Sequence, residues 1–157
     1  MFELGIYLSR RISDILPLRV KDLRGKDTIT IKEKKTNKYI ELSIPTHLQR
    51  TLKRQFEGME DNTYILESRC RKGDGARKPI TRKTAYNDMK YLAKELGVTY
   101  NVGTHTLRKT FGYHYYQRTH DIGMLMVLFN HANEGITKRY IGLEQDEIRK
   151  ALREFKF

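Results

Sequence analysis

The chain has 157 residues, of which 38% are hydrophobic, and it carries 31 Lys and Arg against 19 Asp and Glu, for a net charge of +12. This length suits one globular domain with its own core, and the composition excludes a disordered chain. The charge predicts a polyanionic partner, nucleic acid before an anionic membrane surface. No segment approaches the roughly 20 apolar residues of a spanning helix, no signal-peptide pattern is visible, and the single Cys70 excludes an internal disulfide. We therefore expect a cytoplasmic protein.

The first half of the chain predicts short helices around one hairpin. Residues 1–23 have a helical apolar pattern that Pro17 ends or kinks. Residues 28–31 and 39–42 alternate polar and apolar side chains around a polar turn at 34–38, which predicts a β-hairpin with lysines at its tip. Pro45 then opens a helix, and the glycine-containing basic segment 67–78 is predicted to be a flexible loop, either solvated or in contact with DNA.

The second half predicts further helices. Thr81 or Thr84 caps a helix that ends at Gly97, with an apolar stripe of Ala85, Met89, Leu92 and Leu96. Its opposite face is basic, and Arg82, Lys83 and Lys90 are predicted there to bind DNA. Helices are predicted at about 106–118, 121–129 and 136–142, followed by an amphipathic one that contains Ile148, Leu152 and Phe155. The fold class predicted is α+β, mainly α-helical, with one small antiparallel hairpin.

The most informative spacing is that of His105 and Arg108. An i, i+3 pair projects from one face of a helix, so an imidazole and a guanidinium converge on one point. This combination suits a phosphate, because Arg offers a planar fork of donors and His adds a donor or a proton acceptor. By itself, a His-x-x-Arg segment is more often an ordinary solvated helix face.

Three further segments contain candidate residues. His131 precedes Tyr140 by nine residues, which holds a second imidazole near a phenol across a turn. Arg11 lies near a helix start, where backbone N–H groups favour an anion, and Asp14 is predicted to orient its guanidinium. Lys35 lies at the hairpin tip. Each of these residues also has a plain structural interpretation, as a surface ion pair, a helix cap or a solvated turn.

Taken together, these segments resemble the catalytic domain of the tyrosine recombinases, also called phage integrases. Arg11-Ile12-Ser13-Asp14 resembles the family's first arginine segment, and Lys35 with its turn resembles the hairpin that carries the family lysine. His105 to Arg108 is similar to the His-x-x-Arg box, and Asn130-His131 through Tyr140 to the segment that carries the second histidine and the nucleophile. The order and spacing match over nearly the whole chain, so we expect the tyrosine recombinase catalytic-domain fold.

The chain departs from the family pattern in several places. Leu8-Ser9-Arg10 replaces the usual Thr-Gly-Leu, so Arg10 is an alternative to Arg11 as the first catalytic arginine. Asn130 occupies a position where Gly is typical, and Asn also adopts left-handed backbone conformations. Lys34 and Lys38 are alternatives to Lys35. The family's N-terminal DNA-clamping domain is not found in this sequence, which we expect to begin within the first helix of the catalytic domain.

The resemblance implies a mechanism without metal or cofactor. Tyr140 would form a 3′-phosphotyrosyl link, Arg11 and Arg108 would stabilise charge on the phosphate with help from His131, His105 would accept the phenol proton, and Lys35 would protonate the leaving 5′ oxygen. The partners implied are double-stranded DNA and a homo-tetramer on paired sites. The alternatives are a non-catalytic basic DNA-binding module and a type IB topoisomerase-like enzyme. Zinc binding by His105, His114, His120 and His131 is poorly supported, because no cysteine pair accompanies them.

Overall fold

The computed structural model describes residues 1–70 and 75–155, and within the last helix the side chains of residues 147 and 151 are excluded. The elements are α1 (Phe2–Tyr7), α2 (Ile12–Ile15), α3 (Val20–Leu23), β1 (Thr28–Lys32), β2 (Tyr39–Ser43), α4 (Thr46–Gln55), α5 (Arg82–Glu95), α6 (Thr106–Thr119), α7 (Ile122–Phe129), α8 (Glu134–Ile141) and α9 (Leu143–Glu154). The predicted class, mainly helical with one hairpin, is confirmed. Among the described residues, no helix has the length and apolar character needed to span a membrane.

The hairpin packs on the first half of the chain. Strands β1 and β2 are antiparallel, in a register that runs from Thr28 opposite Ser43 to Lys32 opposite Tyr39. Alternate residues of β1, Ile29 and Ile31, are buried, as the period of two predicts. They share one core with helices α1 to α4, whose buried members include Leu4, Leu8, Ile15, Val20, Leu48, Leu52 and Phe56.

The helical prediction for residues 1–23 is wrong between α1 and α2. There Ser9 has a left-handed backbone with φ of 51°, and Arg11 is the extended N-cap residue of the four-residue helix α2. A left-handed residue other than glycine costs roughly 1–2 kcal/mol, so buried contacts on either side must offset it. The break places two consecutive arginines between the hairpin and the C-terminal helices. The helix start near Arg11 is confirmed.

Helix α5 is capped by Thr81, whose hydroxyl accepts a hydrogen bond from the backbone N–H of Thr84 at 3.0 Å. Ala85 and Met89 are buried as predicted, but Leu96 is 77% exposed, so its assignment to the buried stripe was wrong. Leu96 is the C-cap residue, at the point where the chain turns away from the core. In the loop before α5, residues 71–74 lie outside the described residues, while the Ser68 N–H donates to the Lys78 carbonyl at 2.9 Å.

Helix α6 contacts α1, α7 and α8, and two glycines allow these close contacts. Gly5 of α1 packs on Leu107, leaving no room for a side chain. A Cβ atom on Gly112 would lie 2.7 Å from both Ile141 Cγ2 of α8 and Phe129 Cζ of α7. Because no ordinary Cβ contact is that short, only glycine lets α6 approach these two helices without displacement. The start of α6 therefore lies close to the helix that carries Tyr140.

The last two helices begin earlier than predicted. Asn133 caps α8 by accepting from the Ile136 N–H, so Glu134 and Gly135 belong to the helix and not to the predicted turn. Helix α9 begins at Leu143, directly after Gly142, whose φ of 87° favours glycine. Leu143 of α9 is buried in a core with α6, α7 and α8, whereas Ile148 and Leu152 further along the helix are 57% and 74% exposed, and Phe155 after its end is 66% exposed.

Candidate active site

Tyr140 and His105 meet at the centre of the candidate site. Tyr140 is in the last turn of α8, and His105 is the residue from which α6 begins. The Nδ1 atom of His105 lies 3.3 Å from the Tyr140 hydroxyl, and the two rings are perpendicular with centroids 6.4 Å apart. An imidazole nitrogen at this distance can accept the phenol proton directly.

Arg108 lies one helical turn after His105 and faces the same centre, as the i, i+3 spacing predicted. Its side chain is almost completely buried, its Nη2 donates to the Phe129 carbonyl at 3.0 Å, and its guanidinium lies over the Phe129 ring. The guanidinium carbon is 6.0 Å from the centroid of the Tyr140 ring. The Nε and Nη1 atoms are buried and have no hydrogen-bond partner among the described residues. Unpaired buried donors are costly, so a bound anion would be stabilised at this point.

His131 completes the aromatic surroundings of Tyr140. It follows Asn130, whose φ of 51° confirms the predicted left-handed conformation. The Nδ1 atom of His131 lies 3.0 Å from the Thr137 hydroxyl, and its ring meets the edge of the Tyr140 ring with centroids 5.2 Å apart. Because Thr137 engages one ring nitrogen, the other is left for a substrate.

The neighbouring arginines Arg10 and Arg11 have different environments. The Arg10 side chain is 1% exposed and bonded on three sides, whereas that of Arg11 is 18% exposed and donates to one carboxylate oxygen of Glu33 at 3.0 Å. The charge of Arg11 also lowers the pKa of Tyr140, His105 and His131. The structure thus brings Arg11 close to the other candidate residues, with Arg10 enclosed behind it.

The predicted partner of Arg11 was wrong. Within the described residues, the Asp14 carboxylate forms no hydrogen bond or ion pair with the Arg11 guanidinium; it accepts from the Ser13 hydroxyl and from the Lys34 N–H, the latter at 3.0 Å. The prediction assumed that both side chains project from one helical face, whereas Arg11 is the extended residue before α2. Glu33 is the partner that sequence reasoning missed. The spacing of two from Ile29 and Ile31 could have predicted that Glu33 is buried, but not which residues it contacts.

Lysines 34, 35 and 38 of the hairpin turn differ in their contacts. Lys35 lies in the turn with an exposed side chain, for which no hydrogen bond or ion pair is found within the described residues. The Nζ of Lys38 lies 3.4 Å from the Asn130 side-chain oxygen, next to His131. Lys34 is anchored through its backbone to Asp14. The assignment of the general acid to Lys35 therefore stays a prediction. Of the two alternatives, Lys38 is the one whose side chain contacts the residue before His131.

The predicted DNA-binding residues lie on the exposed face of α5. Arg82 is near enough to the centre to lower the pKa of His105, although burial and Arg108 have larger effects. Lys90 donates to the Asn101 side chain at 2.6 Å, and Lys83 is exposed. No three side chains of His, Cys, Asp or Glu are grouped to hold a metal ion in the ranges that the structure describes.

The electrostatics of the site set the protonation states. Burial lowers the pKa of His105 and of His131, and the positive charges of Arg108 and Arg11 lower both further. Burial also raises the pKa of Tyr140, against the opposing influence of these two arginines. The pKa of Arg108 falls to about 10, chiefly through burial, which leaves it protonated at neutral pH. The centre therefore combines a neutral phenol, a neutral imidazole acceptor and fixed positive charge.

The sequence is similar to those of known proteins. The chain matches the model of the phage integrase family over residues 1–147. The probable integrase/recombinase YoeC of Bacillus subtilis (strain 168) is 43% identical over 155 residues, which are 99% of this chain and 82% of that protein. The tyrosine recombinase XerA of Pyrococcus horikoshii is 27% identical over 149 residues, which are 93% of this chain and 50% of XerA. The chain thus spans half the length of this relative.

Comparisons of structure show the same fold. The site-specific recombinase XerH, in a post-cleavage complex with palindromic difH substrate, superposes with a TM-score of 0.69 at 20% identity, over 98% of this chain and 44% of XerH. The catalytic domain of bacteriophage HP1 integrase superposes with a TM-score of 0.59 at 17% identity, over 98% of this chain and 79% of that domain.

Proposed function

The chain belongs to the phage integrase family, the tyrosine recombinases, and we propose that it cleaves and rejoins DNA strands at a specific site through a covalent link to Tyr140. One observation carries the proposal. The Tyr140 hydroxyl lies 3.3 Å from a neutral imidazole acceptor, His105, beside the buried guanidinium of Arg108 with its unpaired donors. A nucleophile, a base and an anion-binding group therefore meet at one point.

The first chemical step follows from the protonation states. Because the pKa of Tyr140 is raised, its phenol is protonated at neutral pH and needs a base to become a nucleophile. His105 Nδ1 accepts that proton as the phenol oxygen attacks the scissile phosphorus. A 3′-phosphotyrosyl bond forms, the bond from phosphorus to the 5′ oxygen breaks, and Lys35 gives the leaving oxygen a proton. The bond energy is kept in the new ester, so no ATP is required.

Positive charge stabilises the transition state. Arg108 and Arg11 neutralise the negative charge that grows on the non-bridging oxygens, and His131 donates a further hydrogen bond from its free ring nitrogen. A 5′-hydroxyl from a partner strand then attacks the phosphotyrosyl bond, so that Tyr140 leaves with its proton restored and the strands are exchanged.

The substrate proposed is double-stranded DNA. The net charge of +12 gives long-range attraction to the phosphate backbone, and the exposed Arg82, Lys83 and Lys90 of α5 extend the positive surface beside the site. The related XerH is described in complex with its difH substrate. By analogy we propose a homo-tetramer on paired DNA sites, in the cytoplasm.

The test selects the target DNA sequence from a random pool. Nicked duplexes with a random central segment are incubated with the protein, and adducts that resist denaturation by detergent are isolated and sequenced. We expect the parent protein to enrich one sequence covalently, and Tyr140→Phe to bind the same duplex without forming an adduct, because only the hydroxyl is lost.

Three results would contradict the proposal. If the parent forms no adduct with any duplex, the protein is a non-catalytic DNA-binding module. If it relaxes supercoiled plasmids without any sequence enrichment, it acts as a type IB topoisomerase. A normal adduct yield from Tyr140→Phe would reject Tyr140 as the nucleophile.

A further inference from the structure

A buried carboxylate, Glu33, lies at the junction of the hairpin turn and the candidate site. Its side chain is 3% exposed. One carboxylate oxygen accepts from Arg10 Nη1 at 3.2 Å and from Arg11 Nη1 at 3.0 Å, and the other accepts from the Thr36 hydroxyl at 2.7 Å. Its backbone N–H also donates to the Lys38 carbonyl at 2.8 Å. Glu33 therefore joins the hairpin turn to both arginines.

Arg10 connects the Glu33 carboxylate to two other segments of the chain. Its Nε donates to the Leu8 carbonyl at 3.2 Å, and its Nη2 donates to the Leu128 carbonyl near the end of α7. One enclosed guanidinium thus links three segments: the chain break before α2, the base of the hairpin turn, and the helix end that precedes His131. Each of these segments carries a residue of the proposed machinery, namely Arg11, Lys35 and His131.

Arg11 binds the ionised Glu33 carboxylate through one of its guanidinium nitrogens. Burial by itself would raise the pKa of Glu33, but the Thr36 hydroxyl and the charges of Arg11 and Arg10 lower it overall, so the carboxylate is ionised. A guanidinium has five N–H donors, and within the described residues Arg11 uses only Nη1 in a hydrogen bond. Its remaining donors and its partial exposure leave it available to a phosphate.

We propose that Glu33, fixed by Arg10, is a positioning residue for Arg11: it sets the orientation in which the Arg11 guanidinium meets the scissile phosphate, and it ties that guanidinium to the turn that carries Lys35. The inference rests on the proposed function. It differs from a purely structural role, because its loss should affect the neutralisation of phosphate charge more than the stability of the fold or the binding of DNA.

The first test compares two substrates. The duplex selected by adduct formation is made with its ordinary phosphodiester, and again with a methylphosphonate at the scissile position, which lacks the negative charge of one non-bridging oxygen. Glu33→Gln should slow cleavage of the phosphodiester about 10- to 100-fold, as expected for a misplaced catalytic group. On the neutral methylphosphonate, Glu33→Gln and the reference variant Arg11→Ala should both approach the parent rate.

Two further variants guard against loss of folding. Glu33→Gln leaves the buried Arg10 without a full counter-charge, whereas replacing a buried ion pair by apolar groups of similar volume is often neutral for stability. Arg10→Met with Glu33→Met should therefore fold and show the same dependence on substrate charge. Glu41→Gln, which changes an exposed carboxylate of β2 in the same hairpin, should cleave both substrates at the parent rate.

A measurement without DNA separates this inference from the proposed function. Rotation of the Arg11 guanidinium about its Nε–Cζ bond, followed by 15N NMR, should be slow in the parent and in Glu41→Gln, and faster in Glu33→Gln and in the double variant. Unchanged rotation in these two variants would overturn the positioning role even if cleavage is never observed. If the parent cleaves DNA, an equal slowing of both substrates would also overturn it, by indicating a structural role.

Discussion

At the scale of single residues, the site works through shifted protonation states. His105 Nδ1 lies 3.3 Å from the Tyr140 hydroxyl, and the pKa of His105 is lowered by burial first and then by the charges of Arg108 and Arg11. A histidine with an ordinary pKa would be partly protonated near neutrality and could not accept a proton in that form. The positive charges that we propose to bind the phosphate therefore also favour the neutral form of His105, which can accept a proton.

This arrangement predicts a pH dependence. With DNA below saturation, the decline of the cleavage rate on acidification should be centred below the ordinary histidine value of about 6.5, because the lowered pKa of His105 delays its protonation. Single-turnover adduct formation between about pH 5 and pH 8 measures it. His105→Asn should be slow and lack this decline, while His131→Asn should retain it. A decline in the parent centred above the ordinary value would contradict the role of His105.

The hairpin lysine can be tested through the leaving group. Lys35→Ala should slow cleavage, because an alkoxide leaves poorly without a proton. A substrate with sulfur at the 5′ bridging position needs no such help, since thiols have pKa values of about 8.5. Lys35→Ala should therefore recover toward the parent rate on that substrate, and Arg11→Ala should recover much less. If Lys38→Ala or Lys34→Ala shows the recovery instead, the general acid is that lysine.

Individual residues also show what sequence could and could not predict. The spacing of His105 and Arg108 predicted a shared face, and the structure places both against Tyr140, because helix periodicity is local. The predicted contact between the side chains of Arg11 and Asp14 is wrong, and the reason is also local, because Arg11 has an extended backbone. Glu33 was missed because its contacts with Arg10 and Arg11 span 23 and 22 residues, and no period in the sequence reports contacts that long.

At the scale of elements, close packing of α6 brings the site together. His105 and Arg108 lie at the start of this helix, and Tyr140 lies on α8, so their separation depends on how near the two helices approach. Gly112 sets that approach, because its missing side chain is replaced by Ile141 and Phe129. The apolar pattern predicted α6 and α8 individually, whereas their contact depends on a tertiary fit that the pattern does not contain.

Gly112→Ala should therefore disturb the candidate active site, although Gly112 is not one of its residues. The added methyl group would overlap Ile141 and Phe129, and overpacking of this kind costs about 1–3 kcal/mol, more than the roughly 1 kcal/mol that alanine gains over glycine in helix propensity. We expect a lower unfolding free energy in denaturant and slower adduct formation. The matched control is Gly123→Ala in α7, whose new methyl group would meet only Asp121 Oδ1 at an ordinary 3.5 Å. Equal behaviour of the two variants would reject the packing argument.

At the scale of the whole molecule, helix α9 exposes large apolar side chains to solvent. Its amphipathic pattern was predicted from the sequence, and such a face needs a partner surface, either in the same chain or in a neighbouring subunit. The described residues do not cover it, since Ile148 and Leu152 are 57% and 74% exposed. Apolar side chains at helical spacing on one face are typical of a contact surface between proteins. The neighbouring subunit therefore remains the prediction for this face.

Substitution of this face should separate assembly from folding. Ile148→Ser with Leu152→Ser should leave the unfolding free energy within about 0.5 kcal/mol of the parent, as is usual for exposed positions, and should leave binding to a single DNA site unchanged. Complexes that hold two DNA sites together, measured by sedimentation or native gels, should be lost. Leu96→Ser is the matched control, because Leu96 is an equally exposed leucine, at 77%, on the unrelated helix α5. Normal pairing of sites by the α9 variant would mean that this face is not used in assembly, and a large loss of stability would instead place its partner groove within the same chain.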